Sequence, residues 1–391
     1  MLRLWGKMLV VTNDSPSERS AQWAATMEGF VHGDVVRAHR NSVAALDVDD
    51  ARLVVAADRD ARETLFDEVL AAGATRARGG GHRTLEEAPD AYRTCFERDR
   101  DRILHSSSFR RLSGKTQVFV FPDDHMRTRL THALEVAQVA TSVARAVGLN
   151  ESLTEAIALG HDCGHGPGGH ASEEALEPYV VGGFNHATWG ADVSLRPLNL
   201  CLETLDGIRN HSWSRPAPST PEGEVVSWAD RIAYVCHDFE DAASAGLVNV
   251  EDLPALVRDR CGTSRRQQLG AFINAMIATT RTRGVIGMDD RTAEALATFR
   301  AFNYGRIYMR DASRLQAARV VGMLRALVEH YGDHPELLPE DDEFTPDVAG
   351  SPSAIAAAVN YVAGMTDRFA CRSAVTLLAW PIDQLPNGID R

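Results

Sequence analysis

The sequence predicts an all-α protein with at most a few short strands, and three observations support this fold class. From about residue 90 onward, apolar residues recur every three or four positions, the spacing of one face of a helix. Helix-capping residues stand at the ends of several of these periodic segments. Strand-like patterns are rare, and the best example, Thr116–Phe121, is ended by Pro122.

The predicted helices near the candidate chemistry have recognisable ends. Residues 131–148 carry apolar side chains at three- and four-residue steps, and Gly148 is placed to end that helix. In residues 152–160, Ser152 as N-cap with Glu155 three residues later forms a capping box. Further helices are predicted at residues 60–72, 171–179, 224–245, 265–281, 292–328 and 353–369.

The composition is that of an ordinary globular protein. Of the 391 residues, 44% are hydrophobic and 24% are charged, and no apolar run approaches the roughly 20 residues that a membrane-spanning helix requires. Six cysteines are scattered without a CxxC pair, which favours reduced thiols and a cytoplasmic location. The apolar run near the N-terminus is too short for a secretory signal.

The charge of the chain bears on what it could bind. A formal net charge of −13 argues against a general affinity for the nucleic-acid backbone, which needs a basic surface. It does not exclude a polyanionic small molecule, because a locally basic pocket can override the field of the whole chain. Residues 98–129 are rich in basic side chains, and composition alone favours a solvated helix face there.

Residues 1–90 differ from the rest of the chain. Residues 51–57 fit either a short strand or part of a helix, and the glycines at 79–81 indicate a flexible loop. We find no chemistry in this segment. The expected organisation is therefore an N-terminal extension of unknown role, residues 1–90, followed by a helical domain with C-terminal helices, residues 91–391.

Residues 161–170 hold the densest group of potential metal ligands. They contain three histidines, one aspartate and four glycines, directly after a predicted helix. Imidazole and carboxylate ligands suit Mn, Fe, Co or Zn, with Mg possible where oxygens dominate. The alternative is a helix C-terminus whose histidines interact with the helix dipole. So many ligand types within ten residues favour the metal site.

Further ligands must come from elsewhere in the chain. His132 begins a predicted helix, where a histidine on its own is more often a satisfied core residue than a ligand. Asp230, Tyr234 and Asp238 lie four residues apart and so share one helix stripe. Aligned carboxylates repel one another unless a cation or a donor lies between them. Simple solvation of that face explains the pattern equally well.

Taken in order, these residues match the H…HD…D signature of HD domains, and their surroundings are more specific. Residues 99–119, 127–138, 161–165, 229–238 and 364–369 resemble the deoxyguanosine triphosphate triphosphohydrolase family of HD-domain phosphohydrolases. The resemblance covers roughly residues 90–375. It implies a helical HD-domain fold that splits deoxynucleoside triphosphates (dNTPs) into deoxynucleoside and inorganic triphosphate. The implied cofactor is a divalent metal ion: Mn, Mg, Fe or Co.

The resemblance also implies roles for individual residues. The implied metal ligands are His132, His161, Asp162 and Asp230. The implied catalytic residues are His170, Glu173, His186 and His165. Within the catalytic group, a carboxylate orients His170 and raises its basicity, and His186 is a candidate donor of a proton to the leaving 5′-oxygen. The implied substrate contacts are Arg129 and Arg231 for the phosphates, and Gln117, Tyr234 and Asp238 around the deoxyribose.

Two departures from the family pattern concern the pocket. Gly168 stands where relatives commonly carry an aromatic residue, and the residues after His186 lack the usual polar side chains. Relatives assemble into oligomers, often hexamers, so a homo-oligomer is expected. A second dNTP as allosteric activator and single-stranded nucleic acid remain open as partners, and no membrane partner is expected.

Two other functional classes stay open at this stage. A nucleotidase or a cyclic-nucleotide phosphodiesterase on the same fold would keep the metal ligands but would not need the sugar contacts of Gln117, Tyr234 and Asp238. A non-catalytic protein that senses nucleotides would need neither His170 nor Glu173.

Overall fold

The computed structural model describes residues 17–26, 29–47, 49–50, 58–119, 126–339 and 348–386. The chain divides into two compact units, Met1–Ala56 and Ala57–Arg391. The segment 51–57, for which the sequence left strand and helix open, lies outside the described residues.

The described part of the first unit contains one helix and one small sheet. Helix α1 spans Glu18–Thr26, and strand β1 (Phe30–His32) pairs antiparallel with strand β2 (Val35–Arg37). Gly33 opens the turn between the strands with a φ of 65°, a left-handed conformation that glycine adopts without strain. This short hairpin was not predicted from the sequence.

The described part of the second unit is helical, which confirms the all-α fold class. The helices near the N-terminal side are α2 (Arg59–Val69), α3 (Cys95–His105), α4 (Ser107–Arg111), α5 (Arg129–Val147), α6 (Glu151–Gly160), α7 (His170–Leu176), α8 (His186–Trp189) and α9 (Leu202–Arg209). The helices that follow are α10 (Pro221–Ser244), α11 (Ala255–Cys261), α12 (Arg265–Arg283), α13 (Asp290–Asn303), α14 (Asp311–Asp333), α15 (Pro352–Ala363) and α16 (Asp367–Leu378).

Two hydrophobic clusters hold the second unit together. The larger one is built around α5, α6 and α10, with Val136, Ile157 and Ile232 fully buried at its centre. The second joins α7 to α14, α15 and α16 through residues such as Leu324 and Val359. Burying aliphatic side chains of this size stabilises the fold by about 1.5–3 kcal/mol each. The polar site described below lies where these clusters meet.

Residues 58–90 pack on the helices of the second unit. Arg62 forms an ion pair with Glu97 of α3 at 2.7 Å, and the Thr75 hydroxyl donates to Glu222 of α10 at 2.6 Å. The amide of Ala71 donates to the carbonyl of Gly148 at 2.7 Å. The role of residues 1–90 as a separate extension stays a prediction.

Helix α6 begins earlier than the sequence indicated. The predicted N-cap, Ser152, lies inside the helix, and the cap is Asn150, whose side-chain oxygen accepts from the Leu153 amide at 3.1 Å. Both residues are good N-caps by type. Asn150 takes the position because its backbone is extended and because its side-chain Nδ2 donates to the carbonyl of Thr75 at 2.9 Å.

Each of two long predicted helices is divided in the structure. The segment predicted as one helix at 292–328 is split into α13 and α14 by a π-helical turn, Tyr304–Tyr308. The segment 353–369 is split into α15 and α16, where Thr366 caps α16 by accepting from the Phe369 amide at 3.4 Å. Apolar periodicity continues across both breaks, so it does not reveal them.

The predicted strand at Thr116–Phe121 is wrong for its described part, residues 116–119. Thr116 forms only an isolated bridge with Thr128. Its amide donates instead to the carboxylate of Asp367 at 2.8 Å, so the backbone bond that a neighbouring strand would use goes to a side chain. Residues 120 and 121 lie outside the described residues. No helix in the described part of the chain is both long and apolar enough to cross a membrane.

Candidate metal centre and catalytic pocket

Four predicted metal ligands converge from three helices. His132 stands in the first turn of α5, His161 and Asp162 follow the C-terminal end of α6, and Asp230 lies in the middle of α10. Asp230 Oδ1 is 3.1 Å from His132 Nε2 and 3.7 Å from His161 Nε2. Asp162 Oδ1 is 3.5 Å from His161 Nε2. His132, His161 and Asp230 each offer one ligand atom within 4.8 Å of the other two, a spacing suited to one cation, and Asp162 adjoins this group through His161.

A hydrogen bond made by His161 fixes its tautomer so that the ring directs a lone pair at this group. Its Nδ1 donates to the Ala158 carbonyl at 2.6 Å, so in the neutral ring Nε2 carries the lone pair. Nε2 is buried and has no hydrogen-bond partner among the described residues. An unsatisfied buried acceptor costs free energy. A divalent cation bound by His161 and its three neighbours removes that cost, so the residues fit a metal ion.

The carboxylates of the quartet stay ionised despite their burial. Burial alone would raise the pKa of Asp162, but the neighbouring His161 and Arg129 hold that pKa well below its usual range. Burial likewise opposes ionisation of Asp230, and its hydrogen bond with His132 and the nearby His161 lower its pKa instead. Both residues are therefore available as anionic ligands at neutral pH.

Beside the quartet, Glu173 gathers three histidines. Its Oε1 lies 3.1 Å from Nδ1 of His170, the first residue of α7, and 2.7 Å from Nδ1 of His186, the first residue of α8. His165 stacks on His186 with ring centroids 3.8 Å apart and planes inclined by 12°. His165 Nε2 lies 3.2 Å from Asp162 Oδ1, which brings this group next to the quartet.

Charge and burial shift the pKa values of Glu173 and His165 in this group. Burial would raise the pKa of Glu173, but its hydrogen bonds with His170 and His186 hold that pKa far below the usual range. Burial, with Arg129 nearby, lowers the pKa of His165 well below its usual value, so this ring is neutral. His170 differs in that its side chain is 75% exposed and faces the open cavity.

The tight turn between α6 and α7 requires glycine at two positions. At Gly164, an added Cβ would lie 2.0 Å from the His186 carbonyl oxygen, so only glycine allows this close approach. At Gly168, which has a φ of 74°, an added Cβ would lie 2.5 Å from a methyl group of Val320. An aromatic side chain at this position would therefore have no room beside Val320.

The predicted phosphate contacts differ in how they are held. Arg129 is buried and donates from Nη1 to Asp162 Oδ2 at 2.7 Å, while its Nε and Nη2 have no partner among the described residues. Arg231 lies over the ring of Trp213, 3.5 Å from the ring centroid, a cation–π contact that fixes its plane. Both arginines line the cavity.

The predicted sugar contacts are also in the cavity wall. The Tyr234 hydroxyl accepts from Arg300 Nε at 2.8 Å, and the Oε1 of Gln117 is buried without a partner among the described residues. Asp238 is already engaged by Arg127 and by the Tyr308 hydroxyl. Burial raises the pKa of Asp238 against the effect of Arg127. A carboxylate oxygen has a second lone pair, so Asp238 retains acceptor capacity.

The cavity has a volume of about 490 Å³, which is within the range of small-molecule sites. It brings together eleven of the predicted site residues, the exceptions being His161 and Glu173 just behind its wall. Several further residues that line the cavity were not predicted from the sequence: Arg300, Tyr304, Tyr308, Arg310 and Trp213. The first three recur every four residues, and this spacing is the signal that could have found them.

His211 is a further member of the site. Its Nδ1 donates to the Ile208 carbonyl at 2.8 Å, and its Nε2 lies 3.2 Å from His186 Nε2. It is also close enough to His161 and Asp162 to share a cation with them. In the sequence, His211 also matches a histidine of the resembled family, and a structural role is at least as good an interpretation of it.

Two protein-family models match the chain. One, described as the HD domain, matches residues 129–235, and the other, described as a phosphohydrolase-associated domain, matches residues 286–375. The first range contains the metal-ligand quartet and the histidine group around Glu173. The second contains the α13–α14 wall of the cavity.

Several curated proteins are similar to this chain over most of their length. A deoxyguanosinetriphosphate triphosphohydrolase-like protein of Caldanaerobacter subterraneus subsp. tengcongensis is 39% identical over 319 residues, which are 80% of this chain and 93% of that protein. A protein of the same description from Clostridium perfringens strain SM101 is 38% identical, covering 74% and 88%. One from Geobacter sulfurreducens is 36% identical, covering 77% and 92%.

Proposed function

This chain belongs to the deoxyguanosinetriphosphate triphosphohydrolase-like family of HD-domain phosphohydrolases, and from this we propose that it hydrolyses dNTPs to deoxynucleoside and inorganic triphosphate. The observation that supports the proposal is that one cavity is lined by three members of the quartet, by the Glu173-linked histidines and by Arg129, with His161 just behind its wall. This combination provides for binding a cation, moving a proton and holding phosphate oxygens.

The quartet His132, His161, Asp162 and Asp230 would hold a divalent ion such as Mn, Mg, Fe or Co. When bound, the ion would polarise the α-phosphate and lower the pKa of the attacking water. Asp162 also accepts from Arg129, so the ligand and the phosphate-binding arginine are fixed relative to each other.

The proton chemistry is assigned to the histidine group. Glu173 holds the Nδ1 side of His170, which leaves His170 Nε2 free to exchange a proton in the cavity. Both ring nitrogens of His186 already face protein atoms, Glu173 and His211. We therefore assign proton delivery to the leaving 5′-oxygen to His170 Nε2, with His186 as an alternative donor, and His165 as a neutral neighbour of both.

Substrate binding is assigned to the polar side chains of the cavity wall. Arg129 and Arg231 would hold phosphate oxygens, since arginine offers charge and paired donors. Gln117 and Asp238 would bond the sugar, and the Tyr234 ring would pack against its 2′-position and exclude a ribose hydroxyl. In the resulting reaction, water adds to the α-phosphorus and loses a proton. The bond from the α-phosphorus to the 5′-oxygen breaks, and the 5′-oxygen receives a proton from His170.

Product analysis tests this function directly. Purified full-length protein is incubated with each dNTP, singly and in pairs, with Mg, Mn or Co, and the released phosphorus species are separated. We expect inorganic triphosphate and deoxynucleoside. Release of monophosphate instead would indicate a nucleotidase, and release of nothing from any dNTP would refute the proposal. Stimulation by a second dNTP would indicate an allosteric site.

A matched pair of histidine variants tests the assigned proton donor. His170→Ala should lower kcat by roughly 10²–10⁴-fold, the usual contribution of general acid–base catalysis. His334 offers a control, because it is an exposed histidine that pairs with Glu336 at the same 3.1 Å distance. His334→Ala should leave kcat unchanged. Equal effects of the two variants would contradict the assignment.

The assembly, location and binding partners of the protein are also part of the proposal. We propose a homo-oligomer in the cytoplasm, with a hexamer as the expected assembly. The six cysteines, which all lie among the described residues, form no disulfide with one another. A second dNTP is the proposed allosteric ligand, and single-stranded nucleic acid is the weakest of the proposed partners, given the net charge of −13.

A further inference from the structure

Four side chains outside the metal-ligand quartet could hold a cation of their own. One ligand atom each from His165, His170, Glu173 and His186 lies within 4.8 Å of all the others. Glu173 Oε1 lies 3.1 Å from His170 Nδ1, 2.7 Å from His186 Nδ1 and 3.9 Å from His165 Nδ1. Ligand atoms around a tetrahedral zinc ion lie about 3.3 Å apart. The observed separations bracket that value.

An unpartnered nitrogen points into this group. His165 is only 1% exposed, and its Nε2 lies 3.2 Å from Asp162 Oδ1, a carboxylate oxygen that can only accept, so the proton of the neutral ring belongs on Nε2. In the neutral ring, Nδ1 therefore carries a lone pair. It has no hydrogen-bond partner among the described residues and faces the carboxylate of Glu173, which is also an acceptor. Two acceptors that face each other inside a protein need a cation or a proton between them.

The neighbouring contact between His186 and His211 also brings two acceptor nitrogens face to face. His211 Nδ1 donates to a carbonyl, so its Nε2 is an acceptor in the neutral ring. If His186 donates from Nδ1 to Glu173, its Nε2 is also an acceptor, 3.2 Å from His211 Nε2. A metal ion on His186 Nδ1 would move the proton to Nε2. The ring would then donate to His211, as metal-bound histidines usually do to an outer partner.

We propose that His165, His170, Glu173 and His186 form a second cation site that binds Zn²⁺ or Co²⁺. Three imidazoles and one carboxylate are a donor set suited to these ions. Asp162 is the outer partner of His165, and His211 is the outer partner of His186. His170 is largely exposed, so it provides the entry from solvent.

An ion bound at this second site should inhibit hydrolysis. Four protein ligands fill a tetrahedral coordination sphere, so no position is left for substrate or water. The ion would also occupy Glu173 and His170, the pair to which we assign the proton. Inhibition by the ion rests on the proposed function, whereas the binding of the ion does not.

Equilibrium dialysis with Co²⁺ tests the binding, with the visible absorption of four-coordinate cobalt as a second readout. Metal-stripped full-length protein should take up a second ion per chain with a four-coordinate spectrum. Glu173→Gln should lose that ion and its spectrum while keeping the first. Asp230→Asn should lose the first ion and keep the second, and the surface control His334→Ala should keep both. Uptake of only one ion by the wild type, or an unchanged second ion in Glu173→Gln, would overturn the proposal.

His211→Ala tests the role of the outer partner. It should weaken the second site by about 10–100-fold, the usual effect of removing such a partner. If it weakens the first ion instead, then His211 belongs to the quartet and the proposed partner of His186 is wrong.

Inhibition is measured separately on the Mn²⁺-loaded wild type. Adding Zn²⁺ should lower dNTP hydrolysis by roughly 10²-fold or more, because the ion occupies the pair assigned to proton transfer, and removal of Zn²⁺ with a selective chelator should restore it. A rate that stays unchanged while the second ion is bound would refute inhibition. A protein that hydrolyses no dNTP but still binds the second ion would refute the proposed function alone.

Discussion

At the scale of single residues, Lys115 carries a buried charge next to the catalytic turn. Its ammonium group donates to the carbonyl of His165 and, at 3.0 Å, to that of Ala363. It thereby ties the turn that carries the histidines to the end of α15. Burial lowers the pKa of Lys115 to about 8, although the nearby Asp367 acts in the opposite direction. The native state thus bears the cost of desolvating this charge.

The pH dependence of stability should reveal that cost. The lysine pKa is about 8 in the folded protein and about 10.4 when unfolded, so between these values the unfolded chain binds more protons. The free energy of unfolding should therefore rise with pH across this window, by up to about 3 kcal/mol. Urea unfolding of the wild type and of Lys115→Met measures the effect. A difference between the two proteins that stays constant from pH 7.5 to 10.5 would contradict it.

At the scale of the helices, caps and inter-helix bonds determine where the site residues lie. Helix α6 delivers His161 and Asp162 at its C-terminal end, so its start at Asn150 and its length place these ligands. Helix α16 delivers Asp367, which accepts from the Thr116 amide at 2.8 Å, the Thr116 hydroxyl at 2.6 Å and the Gly168 amide at 2.8 Å. One carboxylate thus joins both loops that flank the cavity.

Replacing the observed and the predicted cap of α6 distinguishes them. Asn150→Ala should lower the free energy of unfolding by about 1–2 kcal/mol, because it removes the acceptor for the Leu153 amide. Ser152→Ala should change it by less than about 0.5 kcal/mol. Chemical denaturation of both variants measures this. A larger loss in Ser152→Ala would mean that the helix begins at the position that the sequence indicated.

Asp367 should act on both stability and substrate binding. Asp367→Ala leaves two buried amides without an acceptor and should cost about 2–4 kcal/mol of unfolding free energy. It should also raise KM, because Gln117 follows Thr116 directly. Asp367→Asn, which keeps an acceptor oxygen, should lie between Ala and the wild type, and the exposed Asp383→Ala should match the wild type. A loss of stability with no change in KM would make Asp367 purely structural.

The sequence predicted the helices of the second unit well because their apolar faces are regular. It also singled out residues 161–170, where ligand types are dense. It did not reveal the divisions at Tyr304–Tyr308 and Thr366, since apolar side chains keep their spacing across both turns. The hydrogen bond from Arg300 to Tyr234 joins residues 66 positions apart, so no local sequence pattern predicts that contact.

At the scale of the whole molecule, the quartet concentrates negative charge and unpaired nitrogens at the meeting point of three helices. Without a cation, the carboxylates of Asp162 and Asp230 lie 3.5 and 3.7 Å from His161 Nε2, which has no hydrogen-bond partner among the described residues. A metal ion that binds only the folded state stabilises it by mass action. The ion is thus expected to support the fold as well as the chemistry.

Thermal unfolding with and without chelator measures this linkage. Chelation should lower Tm and added Mn²⁺ should restore it. An ion at about 100 times its Kd contributes about 2.7 kcal/mol. Asp230→Asn should remove the response to the ion at the quartet. A Tm that is unaffected by both chelator and metal in the wild type would argue against a metal ion at the quartet.

The meeting of two hydrophobic clusters at the cavity also bears on how the native state opens. Ile307 and Phe119 belong to one cluster and Val320 to the other, and all three line the cavity. Each cluster is a candidate for a unit that opens cooperatively, and the cavity lies between the two units. A ligand that touches both walls must dissociate before either unit can separate from the other. Occupancy of the site would thus join two independently opening parts into one, so that hydrogen exchange in α10 and α14 slows together.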